Sequence, residues 1–378
     1  MSFVRHVYVH LPFCAHRCGY CDFVTVVGRR TQHGAYVDAV LAELELEAGV
    51  LADRLDTVFL GGGTPTFTEH GELARLLAAL PEAEELTVEA NPETVTPELA
   101  TLLREGGANR VSLGAQSFRP RLLEVLERRA RPEDVRRAMY LLRDAGFDNI
   151  SLDLLYGIPG QSPADLDSDL AEALALEPEH LSCYELEAKP GTRFTHAHGE
   201  ELERQAEAME GYFEAVVDTL TRAGYRWYET ANFCLEPERV GGRDLRAHHN
   251  LAYWRGRDYL GVGIGAVSTV AGVRSRNLPG LGAYVAALAA GMPPRREVEV
   301  LEEETRARER LMLGLRLDEP TRVADIAMSL DSGAVPRLAA SGLVELTSNG
   351  VGDELRLTHR GRFLGGAVTA ELVELAVG

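Results

Sequence analysis

Tyr8-Val-His-Leu-Pro-Phe-Cys14-Ala-His-Arg-Cys18-Gly-Tyr20-Cys21-Asp-Phe23 is the stretch that decides how the rest of the chain is read. Three of the five cysteines fall within it, spaced C-x3-C-x2-C directly after an apolar run that reads as a strand. Soft thiolates gathered this tightly suit an iron–sulfur cluster or zinc rather than a disulfide framework. A structural zinc or a fully ligated cubane takes four protein ligands, and neither Cys183 nor Cys234 has a C-x2-C partner. Three thiolates on a four-iron cluster leave one iron open to a reactive ligand. The competing readings are a zinc site completed by His10 or His16, and three inert buried cysteines.

Working outward, residues 6 to about 190 alternate short β-branched runs with longer amphipathic stretches. The pattern predicts strands at His6–Pro12, Thr57–Gly61, Leu86–Ala90, Arg110–Ala115, Ile150–Tyr156 and Leu181–Leu186. Helical patterns lie between them at Tyr36–Leu51, Glu69–Leu80, Pro97–Arg104, Pro132–Ala145 and Pro163–Leu176. In the first, Tyr36, Val40 and Leu44 share a face opposite Glu43 and Glu47. Several begin with Pro just inside the helix, and the stretches before Phe147 and Tyr225 end at Gly146 and Gly224. Six strand–helix units in succession imply an α/β fold with a parallel sheet and helices outside. Six are too few to close an eight-fold barrel, so the expectation is a partial (β/α)6, TIM-like barrel with its chemistry at the C-terminal strand ends.

Those ends carry polar and glycine-rich residues: Gly61-Gly62-Gly63-Thr64-Pro65, then Glu89-Ala-Asn-Pro-Glu93, Gly114-Ala-Gln116-Ser-Phe118, and Asp153 leading to Tyr156-Gly-Ile-Pro-Gly160. Glycines let a backbone approach a ligand closely, and a carboxylate at Glu89 could grip a ribose. Singly, each is more often loop punctuation. Together they converge on one cavity rim.

The motifs Y-x-H-x-P-F-C, C-D-F, G-G-G-T-P, E-A-N-P-E, S-L-G-x-Q-S-F and D-L-x-Y-G-x-P-G-Q-S resemble the radical S-adenosylmethionine (SAM) superfamily. Within it they resemble the branch of oxygen-independent coproporphyrinogen III oxidase and its HemW-type relatives. The resemblance covers nearly the whole chain. It implies a [4Fe-4S] cluster on Cys14, Cys18 and Cys21 whose open iron chelates SAM, and reduction that cleaves SAM to a 5′-deoxyadenosyl radical. By it Tyr8, Tyr20 and Phe23 line cluster and SAM, and Gly62, Gly63 and Thr64 hold the methionine end. Glu89 binds the ribose, and Gln116, Arg128 and Asp153 complete the pocket. Two departures stand out. The family's L-G-R-x-H reads Leu126-Glu127-Arg128-Arg129-Ala130, and its G-A-H-S reads Gly265-Ala-Val267-Ser268. Val267 is expected against SAM, where the glycine-rich run Leu260–Ser268 returns to the active site.

Residues 200–223 read as one long amphipathic helix, and beyond it His249-Asn-x-x-Tyr-Trp254 matches the sequence associated with haem binding in HemW-type proteins. A histidine flanked by aromatics suits a flat macrocycle's iron, so His249 is the expected haem ligand and His248 a confounder. A turn at Met292-Pro-Pro-Arg suggests three parts: a barrel over 1–235, a connecting segment over 236–294, and a C-terminal module over 295–378. In the last, helices at Glu303–Leu315, Arg322–Leu330 and Ala334–Ala340 precede a hairpin of Leu343–Leu346 and Glu354–Leu357, a small winged-helix-like domain. From Arg295 onward it holds eleven Lys/Arg against fifteen Asp/Glu, so it reads as a lid or packing domain and not a nucleic-acid reader.

Composition agrees with a globular protein: 378 residues, 45% hydrophobic, with no apolar run long enough to span a membrane. The net charge of −19 argues against a phosphate-backbone partner. A start of Met-Ser-Phe-Val-Arg without signal-peptide pattern, and free thiols, lead to an expected cytoplasmic location. Three functions follow from the resemblance. One is haem binding and delivery to an acceptor protein, with an electron donor such as flavodoxin or ferredoxin. The second is coproporphyrinogen III dehydrogenase, disfavoured by the thirteen residues before Cys14 where the decarboxylases carry an extension. The third is a radical SAM methyltransferase on a heteroaromatic substrate. Cys183 and Cys234 are expected to be packing residues.

Overall fold

The computed structural model describes residues 3–189, 193–350 and 352–373. The predicted strands form at β1 (His6–Leu11), β2 (Leu55–Gly62), β3 (Ala83–Ala90), β4 (Arg110–Gln116), β5 (Ile150–Tyr156) and β6 (His180–Glu185). They run parallel in chain order, each joined to the next through at least one helix outside the sheet. Two antiparallel strands, β7 (Tyr225–Trp227) and β8 (Asn232–Leu235), extend the edge beyond β6. On the opposite edge β9 (Leu260–Val262) adds a seventh parallel strand beside β1, giving the order β9-β1-β2-β3-β4-β5-β6-β8-β7.

Parallel strands covered on both faces ordinarily read as continuous apolar runs. These instead alternate. Val7, Val9, Val58, Leu60, Leu86, Val88, Val111 and Leu113 turn outward into the main core beneath the helices. The residues between them are Tyr8, Phe59, Glu89, Arg110, Ser112 and Asp153, which line a cavity inside the curved sheet. The outward face is packing; the inward face is a site.

Helix geometry departs from expectation in two places. The first helix spans His33–Leu46, and Glu43, expected on its solvent face, is wholly buried. Its carboxylate accepts from the Gly263 N–H (2.8 Å), Tyr284 O–H (2.6 Å), Asn277 Nδ2 (2.8 Å) and Arg296 Nη2 (2.9 Å). Those partners belong to a segment some 220–250 residues away, including a second sheet of β10 (Val267–Val270), β11 (Val273–Asn277) and β12 (Arg296–Val300). β12 thus pairs back across the expected boundary at 295. The second departure is the long helix expected over 200–223. It divides into Arg193–Gln205 and Met209–Arg222 around a 3-10 turn. There Gln205 turns inward and donates to the Ile158 and Gln161 carbonyls, which fastens the chain under the β5 loop.

The C-terminal module has its own apolar core around Leu311, Leu315, Ile326 and Leu355. Its helices include Glu303–Gly314 and Ala334–Ala340, and its hairpin Val344–Asn349 and Gly352–Leu357. It is riveted to the barrel by Arg226 on Asp318 (2.7 and 3.0 Å), and by Arg246 and Arg255 on Glu319. Among the described residues no helix is long and apolar enough to cross a membrane.

Candidate functional site

The cavity measures 1460 Å³ and opens at the C-terminal strand ends. Cys14, Cys18 and Cys21 all line it. Four separate motifs meet there in one chain of contacts. Cys14 Sγ lies 3.4 Å from Thr64 Oγ1, Thr64 accepts from Asn91 Nδ2 (3.0 Å), and Asn91 Oδ1 accepts from Arg128 Nη2 (2.9 Å). Arg128 Nη1 then lies 3.9 Å from Cys18 Sγ, and its Nη2 also donates to the Gly114 carbonyl (2.8 Å). The cysteine loop, G-G-G-T-P, E-A-N-P-E and the arginine segment thus each supply a link between two thiols.

The loop glycines serve this approach. Gly62 has φ +109°, and a β-carbon there would run into the His10 imidazole; one at Gly63 would strike the Pro12 backbone at 2.5 Å. The glycines bring their strand end against the cysteine-bearing segment as well as opening it to a ligand. Gln116 takes a left-handed backbone (φ 64°) where the register between β4 and β5 slips, and its side chain lines the cavity. Glu127, where the family pattern has glycine, takes a left-handed backbone (φ 55°) and stands 3.9 Å from His16.

The donor set fits an iron–sulfur cluster. Among the described residues no three or more His, Cys, Asp or Glu gather around a point that could hold one metal ion. Of the two histidines of the zinc reading, His10 is committed elsewhere: Nε2 donates to the Val24 carbonyl (2.8 Å), so Nδ1 accepts from Tyr8 O–H (3.0 Å). His16 lines the cavity with Nε2 3.9 Å from the Glu127 carboxylate. Burial pushes the Cys14 thiol up to about 11 and raises that of Cys21, so cluster binding is what would deprotonate them. The Arg128 guanidinium beside Cys18 supplies positive charge against a thiolate-bound cluster.

Deeper in the cavity two carboxylates face each other. Glu89 accepts from the Gly62 N–H (3.0 Å); burial first, then the charge of Asp153, push its carboxyl up to about 7. Burial likewise raises Asp153, against hydrogen bonds from Ser112 at 3.1 Å. Arg110, 2% exposed, lines the same wall with its Nε unpartnered among the described residues. Arg110, Asn91, Ser112 and Ser182 were not expected from sequence; their phase in the strand alternation, inward like Glu89 and Asp153, is the signal that finds most of them.

Tyr8, Tyr20, Phe23, Gly62, Gly63, Thr64, Glu89, Gln116, Arg128 and Asp153 are therefore brought together. Val267 is not: it begins β10, paired with Arg276, and does not line the cavity. The chain rejoins the main sheet only at Leu260–Val262. Ala130 is buried away from the cavity too. His249 lines the cavity low in the barrel, 1% exposed, and offers no free nitrogen. Nδ1 is hydrogen bonded to Thr57 Oγ1 and Nε2 to Tyr253 O–H, both at 2.7 Å, and the ring stacks on Phe59. Burial drops its imidazolium pKa to about 3. Glu85 accepts the backbone N–H groups of His248 and His249 (3.0 and 3.1 Å), pinning the short helix His248–Trp254 under the strands. As folded, the histidine is a keystone, and iron ligation by it requires the Tyr253 bond to open.

A partial barrel with three thiols and a polar link between them at its mouth defines a radical SAM protein. Residues 8–173 match the Radical SAM superfamily and 301–364 the HemN C-terminal domain. Proteins described as heme chaperone HemW from Bacillus subtilis (strain 168) and Mycobacterium tuberculosis (strain H37Rv) are 32% and 35% identical to this chain. The alignments cover 97% of it in both cases and 98% and 94% of theirs. The HemW of Escherichia coli (strain K12) is 36% identical over 69% of this chain and 68% of its own. The chain belongs to this HemW family. Among solved structures, coproporphyrinogen III oxidase (HemN) from Escherichia coli superposes with a TM-score of 0.81 over 98% of this chain and 90% of its own, at 22% identity, a likeness of fold. Radical SAM membership implies a [4Fe-4S] cluster and SAM.

Proposed function

We propose that this protein binds haem and delivers it to an acceptor protein, on a radical SAM core. The reading is supported by the relatives named heme chaperone HemW along nearly the whole chain. The geometric observation that carries its cofactor side is the Cys14–Thr64–Asn91–Arg128–Cys18 linkage. Cys14, Cys18 and Cys21 hold the cluster, and Tyr8, Tyr20 and Phe23 line cluster and SAM. Gly62, Gly63 and Thr64 take the methionine end, Glu89 the ribose, and Gln116, Arg128 and Asp153 complete the pocket. When bound, the pair supplies one-electron carbon–sulfur cleavage chemistry. Arg128 orients the loop and offsets its charge, while the inward carboxylates accept ligand hydroxyls. Residues 1–235 act as the barrel, 236–294 as the connecting segment, and 295–378 as the closing module. A cytoplasmic location and a flavodoxin or ferredoxin donor belong to the same reading.

The test is anaerobic titration of the purified protein with hemin beside His249→Ala. A bound-haem spectrum in the first, altered in the second, is expected. An identical spectrum and stoichiometry would remove His249 from the account. Conversion of coproporphyrinogen III to protoporphyrinogen IX by the reduced protein with SAM would overturn the chaperone reading in favour of the dehydrogenase. S-adenosylhomocysteine accumulating with substrate would favour the methyltransferase.

A further inference from the structure

The cavity does not stop at the barrel. Past Asp153 its wall continues through Phe213 and Trp227 to the C-terminal module, where Arg316, Arg362 and Phe363 line it. The chain has two tryptophans, and each holds one of these arginines by its face. The Arg316 guanidinium lies 4.4 Å from the centre of the Trp254 ring, and that of Arg362 3.6 Å from Trp227. Among the described residues neither arginine makes a salt bridge. Arg362 Nη1 donates to the Trp227 carbonyl (2.7 Å), while its Nη2 is buried without an acceptor. The hydrogen bonds of the nearby acids go elsewhere, Asp318 to Arg226 and Glu229 to Asn232, so Glu229 acts on Arg316, and both acids on Arg362, only through space. Burial lowers Arg362 to about 10, against the opposing pull of the Asp318 and Glu229 carboxylates. Arg316 is the more exposed of the two.

Two guanidiniums on aromatic faces, neither in a salt bridge among the described residues, beside a wall of Phe213 and Phe363, make a receptor for a flat ligand bearing carboxylates. The planar fork pairs with a carboxylate, and the aromatic faces cover a ring. We propose that Arg316 and Arg362 bind the propionate carboxylates of the tetrapyrrole, at the seam between barrel and C-terminal module. This rests on the haem reading above and deepens it. Arg316 presents a ready cation, and Arg362 turns its unpaired Nη2 to the second carboxylate as the ligand enters. Trp254, the last residue of H-N-x-x-Y-W, is a positioning residue: it sets Arg316 from below.

The experiment compares hemin with hemin dimethyl ester, which keeps iron and ring but lacks both carboxylates, on the full-length, cluster-loaded protein. The protein should prefer hemin by at least about tenfold, the worth of one charge-assisted hydrogen bond. In Arg316→Gln and Arg362→Gln, hemin affinity should fall towards that of the ester while ester affinity holds. Equal binding of both ligands by the unaltered protein overturns the proposal and leaves the haem reading standing. So does a loss in the variants that strikes both ligands alike, as a packing defect would. Binding of neither ligand removes the haem reading itself, and this proposal with it.

Discussion

Glu43 and Glu89 are both acids turned into the molecule, and they are treated in opposite ways. Glu43 meets four donors, one of them the Arg296 guanidinium, which also reaches Glu47 at 2.7 Å. Every lone pair that matters is used, so the carboxylate locks the second sheet to the first helix and has nothing left to offer a ligand. Glu89 receives one backbone N–H and faces Asp153 across a cavity. Its remaining acceptor capacity is held open. A satisfied buried charge is architecture, and an under-satisfied one beside a cavity is a place prepared for something else.

The comparison breaks most visibly at Glu43. Glu43→Ala leaves Arg296 and three other donors without their acceptor and should cost about 3–5 kcal/mol, read as a lower urea midpoint. A loss below about 1 kcal/mol would mean that water replaces the carboxylate and that the node is not structural.

Glu89 should behave in the contrary sense. Its carboxyl is raised from 4.5 to about 7, so between those values the folded state holds more proton than the unfolded chain. Stability is therefore lost as pH rises through that window and is level above it. Glu89→Gln, which cannot ionise, should match the parent near pH 5 and exceed it by up to about 3 kcal/mol at pH 8, measured without SAM. A difference constant across that range would refute the assignment.

The smallest effect sharpens the cause. The negative charge of Asp153 is the second contributor to the Glu89 shift. Asp153→Asn should move the Glu89 titration downward, and the pH window of stability loss should narrow from its upper side. The 13C carboxyl resonance of Glu89 would report this directly, and an unmoved midpoint would leave burial as the whole explanation.

The contrast also separates what was legible along the chain from what was not. Apolar alternation located the first six of the seven parallel strands, β5 at Ile150–Tyr156 to the residue, and residues from the motifs at their ends line the cavity mouth. Arg110, Ser112 and Ser182 carry no motif and sit within strands and not at their C-terminal ends, so only their inward phase, shared with Glu89 and Asp153, marks them. Val267 was misplaced because the glycine-rich run Leu260–Ser268 reads as one strand. The structure spends only three residues of it on the barrel before turning into another sheet. The helix over 200–223 broke because Gln205 found two carbonyl acceptors that no local pattern shows.

The cysteine spacing, the strand period and the glycine positions are local properties, set by which dihedrals and ligands each residue type tolerates. From them the sequence by itself determined the barrel strands and narrowed the thiols to an iron–sulfur cluster or zinc, and the resemblance of its motifs selected the cluster with SAM. The burial of Glu43, the closed hydrogen bonds of His249 and the two arginine–tryptophan pairs depend on partners tens to hundreds of residues away. Only the tertiary structure decided those, because a side chain's charge, donors and exposure are settled by what packs against it and not by its neighbours in the chain.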